Sequence, residues 1–192
     1  MYTIFEDAYR SEPEKEAVFD GCRRITFGEL YSEVENLSSA LVHLNNIKGD
    51  RVMVCLPNWH EFLTITFSLA KIGAIIVPCN TRYKEEELMY ILENSRAKAV
   101  FLIDKYDHMD IFRNKLNNTL IEGGLKQIFT VRFHAVGFKS LDDLMEIGKC
   151  RTFPEMGIDT HEDIFSILYT SGTTGYPKGV MLSHYNVLKL LS

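Results

Sequence analysis

One tryptophan, five prolines and four cysteines are scattered through 192 residues, and that scarcity removes several classes of protein at the outset. Cys22, Cys55, Cys79 and Cys150 stand far apart, without the short Cys-x-x-Cys separations of zinc and redox sites. This argues against a disulfide framework and for a reducing, cytoplasmic setting, with Cys55 and Cys79 as small buried hydrophobes. Long apolar runs are missing too. The nearest, Phe62 to Val77, has 16 residues and is interrupted by Lys71 and Gly73, which suits a helix followed by a buried strand better than a membrane span. Met1 to Arg10 carries Glu6 and Asp7 without an apolar centre, so it does not read as a signal peptide. Positive charge is the minority: 21 basic against 26 acidic residues, net −5, with no basic stripe to suggest nucleic acid. No internal repeat or low-complexity stretch appears, and 46% hydrophobic content suffices for a packed core.

What the chain does have is concentrated in Tyr169-Thr170-Ser171-Gly172-Thr173-Thr174-Gly175-Tyr176-Pro177-Lys178-Gly179-Val180. Glycines admit backbone N–H groups close to an anion, Ser and Thr hydroxyls add donors, and a lysine brings a mobile charge; together they suit phosphate. The apolar run Ile164 to Tyr169 reads as a buried strand, so the loop is expected where an open α/β sheet binds ligands. Two common phosphate motifs are excluded. The Walker pattern needs glycine before the lysine and Ser or Thr after it, yet Pro177 precedes Lys178 and Gly179 follows. The dinucleotide pattern fails because Gly172, Gly175 and Gly179 are spaced by three and four. A plain turn, with Lys178 solvated, would need fewer special residues.

Along the rest of the chain, helix and strand signals alternate. Residues 2 to 10 read as an amphipathic helix, and Ala17–Asp20 with Arg23–Phe27 as a hairpin turning at Gly21-Cys22. Thr26 and Glu29 form a capping box ahead of a helix with Leu30, Val34, Leu37, Leu41 and Leu44 on one face. A strand Arg51–Leu56 precedes a helix capped by Asn58 and Glu61, running to about Lys71 and stopped by Gly73. Further strands are expected at Ala74–Val77, Ala99–Ile103, Gln127–Val131 and Val180–Leu182. Further helices are expected at Glu85–Glu93, Asp107–Leu120, Leu141–Ile147 and from the cap Ser183 through Ser192. The first-turn glutamates Glu85 to Glu87 read as a solvated, dipole-complementing set. Such alternation specifies an α/β fold with mainly parallel sheets and flanking helices. Arg151 to Glu162 is a connector. His60, opening a helix beside Trp59, reads as a surface residue. His184 is expected near the phosphate loop, with ligand contact the lesser of its two readings.

The loop string resembles the signature of the adenylate-forming superfamily, which includes acyl-CoA synthetases, aryl-CoA ligases, luciferases and peptide-synthetase adenylation domains. Ile25-Thr26-Phe27-Gly28-Glu29-Leu30 is similar to that family's first core motif, and Leu69-Ala70-Lys71-Ile72-Gly73-Ala74-Ile75-Ile76-Val77-Pro78 to its second, in the family's order. Asn80 and Arg82 after Pro78 lean toward the acyl-CoA ligases, and Tyr83 to Leu88 resembles medium- and long-chain fatty acyl members.

The resemblance implies a carboxylate, ATP and coenzyme A as small-molecule partners, an acyl adenylate and pyrophosphate as first products, and Mg2+ as cofactor. It assigns phosphate contact to Thr170, Ser171, Gly172, Thr173, Thr174, Gly175 and Lys178, and a magnesium contact to Thr170. Another carboxylate, aryl or amino acid, is an alternative, as is a non-catalytic phosphate-binding or interaction module. Family segments for adenine, ribose, the acidic metal ligand and the C-terminal lysine find no counterpart up to Ser192. Residues 1–192 are therefore expected to form an incomplete N-terminal part of the AMP-binding domain, the N-terminal part of the large domain of such an enzyme. By itself that part should be inactive, with exposed apolar surface that favours self-association.

Overall fold

A computed structural model describes residues 1–106, 109–110, 125, 127–170 and 177–190. The chain opens with helix α1 (Tyr2–Ser11) and the hairpin β1 (Glu16–Phe19) and β2 (Arg24–Thr26). Helix α2 (Phe27–His43) starts as its sequence dictates: Thr26 Oγ1 accepts from the Glu29 N–H at 3.2 Å while Glu29 Oε2 accepts from the Thr26 N–H at 2.8 Å. Then follow β3 (Arg51–Cys55), α3 (His60–Ile72), β4 (Ile75–Pro78), α4 (Glu85–Ser95) and β5 (Ala99–Leu102). Next come the short pair β6 (Lys105–Tyr106) and β7 (Met109–Asp110), β8 (Gln127–Thr130), β9 (Lys139–Ser140) and α5 (Leu141–Gly148). The chain finishes with β10 (Ile164–Thr170), β11 (Lys178–Ser183) and α6 (His184–Lys189).

Seven strands form one sheet in the order β11-β10-β4-β3-β5-β8-β9. Neighbours are parallel except for the antiparallel hairpin β10–β11. From β3 the chain steps to β4 on one side and then crosses to β5 on the other; right-handed crossovers therefore place α3 and α4 on opposite faces. The buried strand runs Val52–Cys55 and Ala99–Leu102 explain why those segments are apolar throughout rather than alternating. Leu37, Leu41, Ile65, Leu69 and Ile72 cover one face, and Leu88, Ile91 and Leu92 of α4 join the same core. A smaller cluster of Phe5, Ile25, Leu30 and Val34 seats α1, where the Phe5 and Phe67 rings stack at 4.4 Å.

Four expectations need correction. Helix α3 is not capped by Asn58: Trp59 is its N-cap and makes no side-chain capping bond, because the Glu61 carboxylate that would complete the box is bound to Arg132 at 2.6 Å. Strand β11 begins at Lys178 rather than Val180, so the lysine sits on a strand stem. Helix α6 ends at Lys189, and residues 191–192 of the expected helix lie outside the described residues. Of the expected helix Asp107–Leu120, Met109–Asp110 instead pair with Lys105–Tyr106 as a short antiparallel ribbon; the remainder lies outside the described residues. Among the described residues no helix is long and apolar enough to cross a membrane.

Candidate active site

Strand β10 lies beside β4 and delivers Thr170 to the carboxyl end of the sheet, and β11 runs antiparallel beside it from Lys178. Thr170 and Lys178 are direct cross-strand partners. The first and last members of the expected phosphate set thus face each other at the mouth of the loop, both exposed. Ser171, Gly172, Thr173, Thr174 and Gly175 lie outside the described residues.

One rung below, Tyr169 pairs with Gly179. A side chain at 179 would put its Cβ 2.9 Å from Ile167 Cγ2 and 3.1 Å from Tyr169 Cζ, so this glycine serves the seat of the tyrosine ring. The Tyr169 hydroxyl donates to Asn94 Oδ1 at 2.7 Å. The same ring borders a cleft of about 570 Å³ formed where β3, β4 and β10 end, with Pro57, Phe62, Asn80, Arg82 and Tyr83 among its walls. A concave site at the carboxyl ends of parallel strands is the expected location of a ligand in an open α/β sheet. Asn80 holds its turn by accepting the Arg82 N–H at 2.9 Å, which leaves Arg82 exposed at the rim.

Cys55 and Cys79 lie at the same strand ends, buried as expected. Burial pushes the Cys55 thiol up to about 12 and the Cys79 thiol well above its ordinary value, so neither is a nucleophile at neutral pH.

Two histidine readings are overturned. His60 is buried, not at the surface, with Nδ1 3.0 Å from Asp20 Oδ2. Asp20, His60 and Glu61 form the one group of three His, Cys, Asp or Glu residues among the described residues whose ligand atoms lie within 4.8 Å of one another. A cation already serves it: Arg132 donates to Asp20 at 2.6 Å and to both oxygens of Glu61 at 2.6 and 3.0 Å, under the face of Trp59. The Arg23 backbone N–H, then the His60 ring, hold the Asp20 carboxyl well below the usual carboxylate range. His184, expected beside the loop, follows the last residue of β11, where Ser183 pairs with Ile164. Five residues of strand lie between it and Lys178, a separation of about 20 Å. Its Nε2 is buried without a hydrogen-bond partner among the described residues, in a wall of an 860 Å³ cavity shared with Lys71 and Phe153. Burial pushes its pKa down to about 4.

Sequence reasoning did not pick out Asn94 or Arg132, which reach their partners across 75 and 112 residues of chain. The only local trace is the tyrosine next to the loop, whose hydroxyl needs a partner when its ring is partly covered.

Comparison with known proteins agrees with this geometry. A family model described as AMP-binding enzyme matches residues 5–192. The medium-chain fatty-acid–CoA ligase of Escherichia coli (strain K12) is 35% identical over 192 residues, covering 96% of this chain and 33% of the ligase. Among solved structures, a long-chain-fatty-acid-CoA ligase (FadD1) from Archaeoglobus fulgidus superposes with a TM-score of 0.82 at 28% identity, over 98% of this chain and 37% of that one. The anthranilate CoA ligase AuaEII in complex with anthranoyl-AMP gives a TM-score of 0.83 at 28% identity, over 95% and 34%. The chain spans about a third of the length of the curated relatives it matches. With the family model covering nearly all of it and the relatives being acyl-CoA ligases, the chain belongs to the AMP-binding family of adenylate-forming enzymes.

Proposed function

We propose that these residues serve an AMP-forming acyl-CoA synthetase acting on a medium- or long-chain fatty acid. The observation that carries the reading is the Thr170–Lys178 pair at the mouth of a glycine- and hydroxyl-rich loop, beside a cleft at the carboxyl ends of three strands. In the first step a carboxylate oxygen attacks the α-phosphorus of ATP, forming the acyl–phosphate bond as the bond to pyrophosphate breaks. In the second, the sulfur of coenzyme A attacks the acyl carbonyl and AMP leaves.

The electrostatic problem is repulsion between the carboxylate and the triphosphate, and the growing charge on pyrophosphate. Lys178 is read as a counter-charge to those oxygens, not as a base. Ser171, Thr173 and Thr174 hydroxyls and the backbone around Gly172 and Gly175 are read as donors to the β- and γ-phosphates. Magnesium, when bound, would neutralise phosphate charge, and the Thr170 hydroxyl is the one oxygen here assigned to it; a hard cation with few protein ligands suits such a position.

The 192 residues alone are expected to bind ATP weakly and not to turn over, since orientation needs contacts at both ends of the nucleotide. Self-association is proposed through β11, an edge strand with Val180 and Met181 exposed. The four cysteines, all free, support a reducing, cytoplasmic setting.

The test is ATP–pyrophosphate exchange and acyl-CoA formation by the longest reading frame containing these residues, against a panel of fatty, aryl and amino acids. Exchange dependent on fatty acids supports the proposal. Exchange with aryl or amino acids alone overturns the substrate, and no exchange with any acid overturns the enzyme in favour of a binding module.

A further inference from the structure

We infer that Asn94 is a positioning residue for the phosphate loop, acting through the Tyr169 hydroxyl, an inference that rests on the reading of that loop as the ATP-phosphate site. Tyr169 stands immediately before Thr170, and its backbone pairs with Gly179, the residue immediately after Lys178. One side chain therefore touches both stems of the loop: it belongs to the outgoing strand, and its ring fills the place that a side chain at 179 would take.

The ring packs against the core and lies over Gly179, where no side chain stands, and its tilt is completed by holding the hydroxyl at the far end. Asn94 does this at 2.7 Å. The anchor is firm because α4 is fastened by Leu88, Ile91 and Leu92, all buried, whereas Asn94 itself is exposed and adds nothing to the core. Burial raises the Tyr169 pKa, which keeps its hydroxyl a donor across the working pH range. The hydrogen bond thus ties the loop stems to the helix that follows β4.

A stem that is free to rotate must be ordered each time the triphosphate binds, a cost carried equally in the ground and transition states. Such a loss of uniform binding raises KM and spares kcat. In the longest reading frame, Asn94→Ala and Tyr169→Phe are each expected to raise KM for ATP about five-fold, the ratio for loss of one net hydrogen bond. The acid KM of Asn94→Ala should stay within about two-fold, as the lost contact lies on the nucleotide side. The double variant should be no worse than either single one, since both remove the same bond. Asn94→Asp, which retains an acceptor, should restore the ATP KM.

Hydrogen exchange provides a readout independent of turnover: amides of Tyr169 and of Lys178 to Val180 should exchange faster in Asn94→Ala. An unchanged ATP KM in both single variants, additive effects in the double, or unchanged amide exchange would overturn the inference. A wild-type protein without exchange chemistry would instead sink the functional reading, and the amide data would still decide whether the tether exists.

Discussion

Arg132 Nη2 lies 2.6 Å from Asp20 Oδ2, joining a carboxylate whose side chain has no exposed surface to a guanidinium 112 residues away. The same guanidinium grips Glu61, so one residue after β8 ties the first hairpin to the start of α3. Removing it leaves two covered carboxylates without their cation.

Arg132→Ala is therefore expected to destabilise the fold by about 3 kcal/mol, the low end of the range for breaking a buried pair, since Arg132 keeps a third of its side chain in water. Arg132 also has φ of 60°, the left-handed region that glycine enters without cost. Arg132→Gly should then be less damaging than Arg132→Ala by about 1 kcal/mol. Urea denaturation of the three proteins checks both figures, and equal losses in the two variants would remove backbone strain from the account.

The contrast between this network and the helix starts explains what was legible in the sequence. Thr26 with Glu29, and Ser183 before α6, cap helices through contacts spanning three residues, so spacing alone reveals them. Buried strands are equally local, because a run such as Val52–Cys55 must be apolar when both faces are covered. Glu61 looked like a capping residue by the same logic, but a cation far along the chain outcompeted the local bond. His60 was misplaced for the same reason: nothing within a few residues shows that Asp20 will stand 3.0 Å away. Within the candidate site, the proposed phosphate role of the loop rests on composition, while the hydrogen bond from Tyr169 to Asn94 could emerge only once α4 and β10 were placed together.

His184 gives a pH prediction with a definite sign. Its folded pKa is pushed down to about 4, so between that value and the ordinary 6.5 the unfolded chain takes up a proton that the folded chain refuses. Stability is full above pH 6.5, falls as pH drops toward 4 and is flat with respect to this group below that. His184→Phe, which keeps a ring against Phe165 and removes the unpartnered Nε2, should abolish this component without loss at neutral pH. The difference between wild-type and variant urea midpoints from pH 4 to 8 is the measurement; a difference that does not change with pH would show that His184 does not titrate in this way.

Gly148 closes α5 against α2, and a Cβ there would stand 1.8 Å from the Asn36 carbonyl oxygen. The obstacle is backbone, so it cannot swing aside. Gly148→Ala should cost at least about 3 kcal/mol, the upper end of overpacking penalties, by pushing the two helices apart. Gly157→Ala, where nothing lies within 4 Å, should change stability little. Similar melting temperatures for the two variants would contradict the packing described for α2 and α5.

The edge strand β11 exposes 66% of Met181 and 47% of Val180 on a side where it has no strand neighbour among the described residues. Met181→Lys places a charge on that edge, a common device against strand-to-strand pairing. Sedimentation of the 192-residue chain should show self-association that weakens in the variant and leaves its helical circular dichroism unchanged. A wild-type chain that sediments as a monomer at every concentration would discard the edge as an association surface.

Lys178 and Thr170 test the loop chemistry from opposite sides of its mouth. If Lys178 offsets triphosphate charge, Lys178→Ala should lower kcat/KM for ATP about 100-fold, equivalent to about 2.7 kcal/mol of transition-state stabilisation. Lys178→Arg keeps the charge on a bulkier, planar head and should lose less, because a point charge rather than a fixed fork is required. Thr170→Val keeps a β-branched shape at the strand end but loses the hydroxyl, so its effect should be a higher Mg2+ concentration for half-maximal rate. Steady-state exchange assays at varied ATP and Mg2+ separate the two roles. If Lys178→Ala retains wild-type kinetics, the lysine leaves the mechanism; if the Mg2+ dependence of Thr170→Val is unchanged, the threonine is a strand residue at the mouth and no more.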